Sequence, residues 1–390
     1  MNRQRNRRIA WVLFCALLFA GVTAGCTWPA PAAQVAQLVL PSTATPSPTH
    51  TATATKTATP TATAVPTSTP TATPEPTFTA TPITPQPILE IPLAGPATFG
   101  RPEFSGLAWY GDYLVLLPQY PGRFASGDGA LFVLDRAEIE AFVAGALPGP
   151  LTPRPLPVDA PGLRAQFPGY DGFESIVFDG ERVYLTVESW TASGMLGWIV
   201  AGRVEPDLSL LHIDVTSAVA IAPQADLGNM TDEAIVLWDD GQSASLLTIY
   251  EANGLLVNPQ PVAHHFATDL SPLASLPLPH VEYRITDATP ADAKGNFWAI
   301  NYFYPGDVKL KPNSDALLRL VVNSLPHVER LVEFQVTAQG IRFSGAPPVY
   351  LQLLETDARN WEGIARLDER GFLLVTDTHP RTILAFVAKP

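Results

Sequence analysis

The sequence predicts an all-β fold, a β-propeller of five blades, that follows an export signal and a disordered stalk. Two observations carry this prediction. Five segments between residues 88 and 390 repeat one pattern of short strands, and no long stretch shows a sustained helical period. The chain has 390 residues, of which 46% are hydrophobic, and so it can bury the core that such a fold needs.

Residues 1–26 indicate a bacterial lipoprotein signal. Four arginines in the first eight residues precede an apolar run at 9–22, and the run ends in "VTAGC", which is similar to a lipobox. Because Cys15 lies inside the signal, Cys26 would be the only cysteine of the mature chain, and we expect it to be lipidated. We therefore expect an extracytoplasmic, membrane-anchored lipoprotein that meets the membrane only through this lipid. A plain signal peptide or an uncleaved anchor is the alternative.

Residues 27–87 consist largely of Thr, Ala and Pro, as in "TATATKTATPTATAVPTSTPTATPEPTFTATP". Small side chains bury little apolar area and the prolines lack a backbone donor, so this segment cannot form a packed core. We interpret it as a disordered linker, which assigns residues 88–390 to the propeller domain.

The charge balance limits the class of partner. Without its first 25 residues the chain keeps 20 basic and 37 acidic residues. Binding to phosphate backbones needs clustered Lys and Arg, so this balance argues against nucleic acid as a partner and is compatible with cation binding. We expect a monomer.

Each of the five repeated segments contains a polar residue, a small residue, a short apolar strand, a turn and a second strand. Corresponding polar residues lie 54 to 75 positions apart, and they are Ser105, Glu174, Glu233, Asp287 and Glu362. Repeats of that length with two or more strands each are typical of propeller blades. A sixth, degenerate blade within 190–230 or 305–350 is the structural alternative.

Two further elements follow from the pattern. The last repeat supplies only three strands, near 362–367, 371–377 and 382–388, and "PILEIPLAG" at 87–95 would supply the fourth. Pairing the beginning of the domain with its end removes an exposed sheet edge. The segment "DRAEIEAFVAGAL" from Asp135 has the apolar spacing of a short surface helix.

The repeated acids suggest a metal site. The first strand of each propeller blade lines the central channel, so the five polar residues would form a ring around the axis. Four carboxylates in a poorly hydrated channel repel one another and need protons or a cation. Ligands that offer only oxygen favour a hard ion, and a broad, flexible ring suits Ca²⁺. The alternative is that these acids end tight turns and face solvent.

The segments "SGLAW", "FESIVF" and "WEGIAR" resemble blades of the esterase-like phytase propeller family. The order Ser, Glu, Glu, Asp, Glu is similar to the Ser, Glu, Glu, Ser, Glu calcium ring of the five-bladed calcium-activated nucleotidases (apyrases). The resemblance implies that Ser105, Glu174, Glu233 and Glu362 bind calcium, and that Asp287 departs from a Ser.

A second circle of polar residues is expected beside the ring. Positions 14 or 15 residues after the ring residues return to the same face on the second strand of each blade; they are Gln119, Glu188, Asn301 and Asp377, with Glu251 a looser match. The loops that follow carry Arg123, Lys309 and Lys311, and the pair His379 and Arg381. These groups predict a calcium-assisted hydrolase of a small anionic phosphate or carboxylic ester.

The predicted roles divide as follows. Glu188, Asp377 or His379 would act as general base, and the substrate would contact Arg123, Arg381, Lys309, Gln119 and Asn301. The sequence has no G-x-S-x-G elbow before a helix, which argues against serine-esterase chemistry. Glycosidase chemistry needs two carboxylates across a sugar, but a metal ring would already engage them. A non-catalytic, calcium-stabilised propeller that binds a surface polymer or protein is the alternative from another class.

Overall fold

The computed structural model describes residues 84–390, except Pro305, Ala316, 318–326 and Thr356. The predicted signal, Cys26 and the stalk through residue 83 lie outside the described residues. Of the residues described, none belongs to a helix long and apolar enough to cross a membrane.

The described strands form four sheets, of four, four, five and eight strands. A parallel contact joins two four-stranded units in the eight-stranded sheet, so the strands divide into five antiparallel units, which we call blades. The first contains β2 (Phe104–Tyr110), β3 (Tyr113–Pro118), β4 (Ala130–Asp135) and β5 (Arg154–Asp159). The second contains β6 (Tyr170–Asp179), β7 (Arg182–Thr191), β8 (Gly194–Val204) and β9 (Leu211–Ile221). The third contains β10 (Asp232–Asp239), β11 (Ala244–Tyr250), β12 (Val262–Ala267) and β13 (Pro272–Pro277).

The fourth blade contains β14 (Arg284–Ala288), β15 (Asn296–Phe303), β16 (Val328–Thr337) and β17 (Gly340–Phe343), and the short β18 (Val349–Tyr350) also pairs with β16. The fifth contains β19 (Trp361–Leu367), β20 (Gly371–Thr376) and β21 (Leu384–Ala388), and β1 (Ile88–Ile91) completes it. The prediction of an all-β propeller is confirmed.

The closing strand lies where the sequence predicts it. β1 pairs antiparallel with β21 and places Ile88 opposite Val387 and Ile91 opposite Leu384. Within the described residues, backbone pairing already occurs at Gln86, which exchanges hydrogen bonds with Tyr350 and Gln352. The beginning and the end of the domain are therefore held in one sheet.

The innermost strands contact one another in ring order, β2 to β6 to β10 to β14 to β19 and back to β2. Apolar side chains between neighbouring blades form the core, and one cluster around Phe173 and Val187 joins the first two blades. The outermost strands of these blades, β5 and β9, also pair in parallel. This packing fixes the relative positions of the innermost strands and hence of the residues at their start.

Among the described residues, helical structure is confined to short segments. α1 (Arg136–Val143) is the helix expected after Asp135, and α2 (Leu163–Gln166) is a single turn. Single 3-10 turns occur at Gly95–Thr98, Pro121–Arg123 and Val308–Leu310.

Candidate functional site: an acidic centre on the propeller axis

Each innermost strand contains a bulge where the sequence places its ring residue. The pairing register shifts between Phe104 and Gly106 in the first blade, and corresponding shifts enclose Glu233 and Glu362 in the third and fifth. In the second and fourth blades the irregular stretch contains two residues, Glu174 with Ser175 and Thr286 with Asp287. A bulge changes the direction of its side chains, so these positions leave the normal alternation of a strand.

Five carboxyl groups from three blades interact near the start of these strands, and we call them the acidic centre: Glu174, Glu188, Glu233, Glu251 and Glu362. Burial, followed by the charges of the other four acids, raises the pKa of Glu233 well above its ordinary value. All except the half-buried Glu362 are less than a tenth exposed. The second-circle residues Glu188 and Glu251 thus join ring residues in one electrostatic cluster.

Few neutral or cationic partners compensate these acids. Gln119 Nε2 donates to Glu174 Oε1 at 2.8 Å, and Thr231 Oγ1 donates to Glu188 Oε1 at 2.6 Å. Glu233 Oε2 and Glu251 Oε2 are buried without a hydrogen-bond partner. Burial raises the pKa of Glu174 well above its usual value, and it raises that of Glu188 to about 7.

One buried guanidinium lies at the edge of the centre. Arg284, at the start of β14, forms an ion pair with Glu251 and a bidentate ion pair with Asp307. The sequence prediction missed Arg284. Its position, two residues before the start of the fourth repeat at Thr286, places it close to the ring residues and could have indicated it. Because Asp307 shares this cation, Arg284 neutralises only part of the charge of the centre.

The fifth blade adds a neutral hydrogen-bond network. Asn360 Nδ2 donates to Glu362 Oε1 at 2.6 Å, while the buried Tyr302 hydroxyl donates to Asn360 and, at 3.3 Å, to Glu362. Asp377 adjoins this network, and burial raises its pKa, as it does that of Glu362. Tyr302 and Asn360 were also missed, although Tyr302 directly follows the predicted Asn301 and Asn360 lies two residues before Glu362.

Asp287 requires a correction, because the structure does not place it in the acidic centre. Its carboxylate accepts hydrogen bonds from Ser175 Oγ and from the backbone N–H of Ile364, each at 2.9 Å, and also from Leu107 N–H. Burial raises its pKa to about 8 despite these donors. The oxygens of Asp287 are thus occupied by hydrogen bonds from other residues of the protein.

Thr286 takes the corresponding ring position in the fourth blade. Its Oγ1 donates to the carbonyl of Trp361 at 2.6 Å, just as Ser105 Oγ donates to the carbonyl of Phe173 at 2.7 Å. In both cases the accepting carbonyl precedes the ring residue of the next blade. The positions after the other ring residues hold small side chains, Gly106, Ser175, Ala234 and Gly363. Because these four residues are small, they leave space on the axis for the Asp287 carboxylate.

Asn301 also requires a correction as a substrate-binding residue. Its Nδ2 donates to the carbonyls of Glu282 and Arg284 at 2.8 Å, and its Oδ1 accepts from Arg330 Nε at 2.7 Å. The side chain is fully buried. Its polar atoms therefore brace the fourth blade.

The predicted cationic and imidazole groups lie on loops of the same face. Arg123 pairs with Glu103 and Arg381 with Glu90, and both have exposed side chains. Lys309 is exposed on the Val308–Leu310 turn. His379 packs edge-on against Tyr304, with ring centroids 5.5 Å apart, and its backbone N–H donates to Asp377 at 2.6 Å. Arg123 and Arg381 are thus paired with Glu103 and Glu90, which are not members of the acidic centre.

The donor chemistry of the acidic centre can be compared with the needs of a hard cation. Oxygen ligands and uncompensated buried charge suit Ca²⁺, which accepts six to eight oxygens in flexible geometry. Among the described residues, however, no group of three or more His, Cys, Asp or Glu side chains is arranged so as to hold a metal ion. A cation would therefore have to draw the carboxylates inward from the positions they occupy here.

Comparisons with known proteins give only distant similarity. A scan against protein-family models and a search of curated proteins both give no match. A GH43 endo-arabinanase from Bacillus licheniformis aligns over 75% of this chain and 95% of its own, with 9% identity and a TM-score of 0.40. A putative oxidoreductase (glucose dehydrogenase) from Thermus thermophilus aligns over 77% and 99%, with 10% identity and a TM-score of 0.41.

An exo-1,5-alpha-L-arabinanase from a bovine ruminal metagenomic library aligns over 74% of this chain and 92% of its own, with 11% identity and a TM-score of 0.40. At this level of similarity, the activities in these names belong to those proteins alone. The strand order of the chain itself defines its propeller fold.

Proposed function

We propose that the acidic centre binds a calcium ion and that the protein is a calcium-dependent hydrolase of phosphate or carboxylic esters, of the esterase-like phytase type. We further propose that Cys26 and the stalk tether it outside the cytoplasm. One observation carries the cation proposal: five carboxyl groups interact, four of them buried, and the described residues provide one guanidinium, shared with Asp307, to compensate them. Buried acids in this situation must take up protons or a counter-ion.

Glu174, Glu233 and Glu362 would hold the ion, and Glu188 and Glu251 would adjoin it. The bound ion would supply positive charge that neutralises these acids and polarises a substrate oxygen. Glu188 would act as general base, because burial raises its pKa to about 7, which lets the carboxyl exchange a proton near neutral pH. Asp377, half-buried at the end of β20, is the more accessible base.

A non-catalytic, calcium-stabilised propeller is the second candidate, and the burial of the acids favours it. Glu174, Glu188, Glu233 and Glu251 are 0 to 8% exposed. A substrate could reach them only if the surrounding loops moved. In this case the ion would serve stability, and the exposed face would bind a polymer or a protein.

Calorimetry and enzyme assays on the purified protein separate these candidates. Calcium should bind and raise Tm, and a chelator should reverse both effects. A hydrolase should also turn over p-nitrophenyl phosphate or p-nitrophenyl acetate in a calcium-dependent manner and lose turnover, but not calcium affinity, on Glu188→Gln. Calcium binding without turnover of any ester would support the second candidate, and indifference to calcium would refute both.

A further inference from the structure

A separate groove lies beside the acidic centre, between the loops that follow β3 and β5. Its volume is about 560 Å³, and we call it the Tyr120–Tyr170 groove after two of the side chains that line it. Arg123, Arg164 and Leu163 also line it. The sequence prediction included Arg123 as a single cation but no binding surface here.

Two arginines, Arg123 and Arg164, line the groove together with one carboxylate, Asp128. Arg164 is exposed and its guanidinium lies over the Tyr170 ring, 5.5 Å from the centroid. Within the described part of the chain, no carboxylate forms an ion pair with it. Arg123 lies over the Tyr120 ring at 4.0 Å and pairs with Glu103 through one terminal nitrogen. A guanidinium that lies beside a ring face can still direct N–H donors to an anion.

The acids near the groove are already engaged. Asp128, which lines it, accepts from Ala160 N–H at 2.7 Å. Asp171 accepts from the Tyr120 hydroxyl at 2.9 Å and from Trp190 Nε1 at 2.8 Å. These neutral donors hold the carboxylate oxygens in place but leave their charges, so a bound anion must be paired directly with the two arginines.

Two tyrosine rings form part of the groove wall. The Tyr120 and Tyr170 rings meet edge to face, with centroids 6.5 Å apart. Both tyrosine hydroxyls donate within the protein, Tyr120 to Asp171 and Tyr170 to the Gln119 carbonyl at 3.3 Å. The ring carbons that the two guanidinium groups leave uncovered are therefore the part of these side chains that a ligand can contact, and they favour a flat ring.

One residue links the groove to the acidic centre. The Gln119 carbonyl accepts from Tyr170, and its side-chain amide donates to Glu174. Gly172 packs directly under this side chain, since a Cβ at that position would lie 2.3 Å from Gln119 Cγ, and its φ of +129° is one that other residues rarely adopt. The distance between the groove and the buried acids is thus set by close backbone packing.

We propose that the Tyr120–Tyr170 groove binds a flat ring that carries a negatively charged oxygen group, as in an aryl phosphate or aryl carboxylate. Arg164 and Arg123 bind the charged group, and the tyrosine walls contact the ring. This inference adds a ligand class to the proposed function, but binding in the groove requires no cation and can be measured without calcium.

Titration calorimetry in chelator with four probes tests it: phenyl phosphate, benzoate, inorganic phosphate and phenol. The two charged ring probes should bind more tightly than inorganic phosphate, which has no ring, and more tightly than phenol, which has no charge at neutral pH. Charge-assisted hydrogen bonds contribute about 1.5–3 kcal/mol, so Arg164→Gln should weaken binding of phenyl phosphate about tenfold or more. Arg164→Lys should recover part of the affinity.

Arg154→Gln is the matched control, because Arg154 also lies over a tyrosine, 5.2 Å from the Tyr113 centroid, but outside the groove. It should leave binding unchanged. Equal affinity of wild type and Arg164→Gln, or an equal loss in both variants, would overturn the groove proposal while leaving the calcium proposal intact. Probe binding in a protein that does not bind calcium would refute the proposed function and support the groove.

Discussion

Ser175 and Asp287 meet across the axis of the propeller, where Ser175 Oγ of the second blade donates to Asp287 Oδ1 of the fourth at 2.9 Å. The other Asp287 oxygen accepts from Ile364 N–H of the fifth blade, and Leu107 N–H of the first blade also donates to this carboxylate. Ser175 Oγ in turn accepts from Ile235 N–H of the third blade at 3.3 Å. One carboxylate and one hydroxyl thus tie all five innermost strands together.

We expect Asp287→Asn to lower the free energy of unfolding by about 2–4 kcal/mol, because an amide nitrogen would face backbone donors and leave them unsatisfied while buried. Urea denaturation measures this change. Asp269→Asn is the control, since Asp269 caps an exposed turn through Ser271 N–H and should contribute far less. Similar losses in the two variants would contradict the axial role of Asp287.

Glu233→Gln should have opposite effects on stability and on calcium affinity. It removes one buried charge from the acidic centre, so the calcium-free protein should gain on the order of 1 kcal/mol of stability at pH 8. The same change removes a ligand, so calcium affinity should fall about tenfold or more. Thermal melts and calorimetry measure both, with Glu333→Gln on β16 as the control. A destabilised calcium-free variant would contradict the electrostatic account.

The increase in Tm that calcium causes should depend on pH, because the pKa values of Glu174, Glu233 and Glu362 are raised. Between their ordinary pKa of 4.5 and the raised values, the folded state binds more protons than the unfolded state. The stability of the calcium-free protein should therefore fall as pH rises through this window. Calcium competes with these protons, so the increase in Tm that it causes should be larger at pH 8 than at pH 5.5. An increase that is independent of pH would argue against binding at these acids.

Arg284→Met should be among the most destabilising single changes in the domain. It leaves the fully buried Glu251 and the largely buried Asp307 without their cation, and breaking a buried pair in this way costs about 3–5 kcal/mol. Arg203→Met, which breaks the exposed pair with Glu181, should cost about 1 kcal/mol or less. Chemical denaturation of both variants at pH 7 tests the difference, and equal losses would show that Arg284 does not neutralise the centre.

The closing strand can be tested with two neighbouring side chains. Ile91 is 2% exposed and packs with the first and fifth blades, whereas Leu89 on the same strand is 42% exposed. Ile91→Ala should cost about 2–5 kcal/mol and Leu89→Ala well under half of that. Thermal unfolding of both variants measures the contrast. If Ile91→Ala has no effect, closure by β1 does not stabilise the propeller.

Several features of the site follow from sequence spacing. Repeats of polar residue, small residue and strand predict the innermost strands, and the return distance of 14 or 15 residues predicts that Gln119, Glu188 and Asp377 adjoin the ring residues. In the structure Gln119 contacts Glu174, and Asp377 interacts with Glu362. The roles of these residues in calcium binding and catalysis remain predictions.

The propeller, its closure by the beginning of the domain and the concentration of acids at the start of the innermost strands could be predicted from the sequence, because repeat length and apolar alternation reflect strand pairing directly. Which acids share one centre could not be predicted in this way, because it depends on side-chain directions in the folded protein. A two-residue bulge at Thr286 and Asp287 sends the threonine to the ring position and the carboxylate to the axial donors. Alternation along a strand cannot predict side-chain direction inside a bulge. It also cannot predict that the side-chain amide of Asn301 is fully hydrogen-bonded to neighbouring carbonyls and to Arg330.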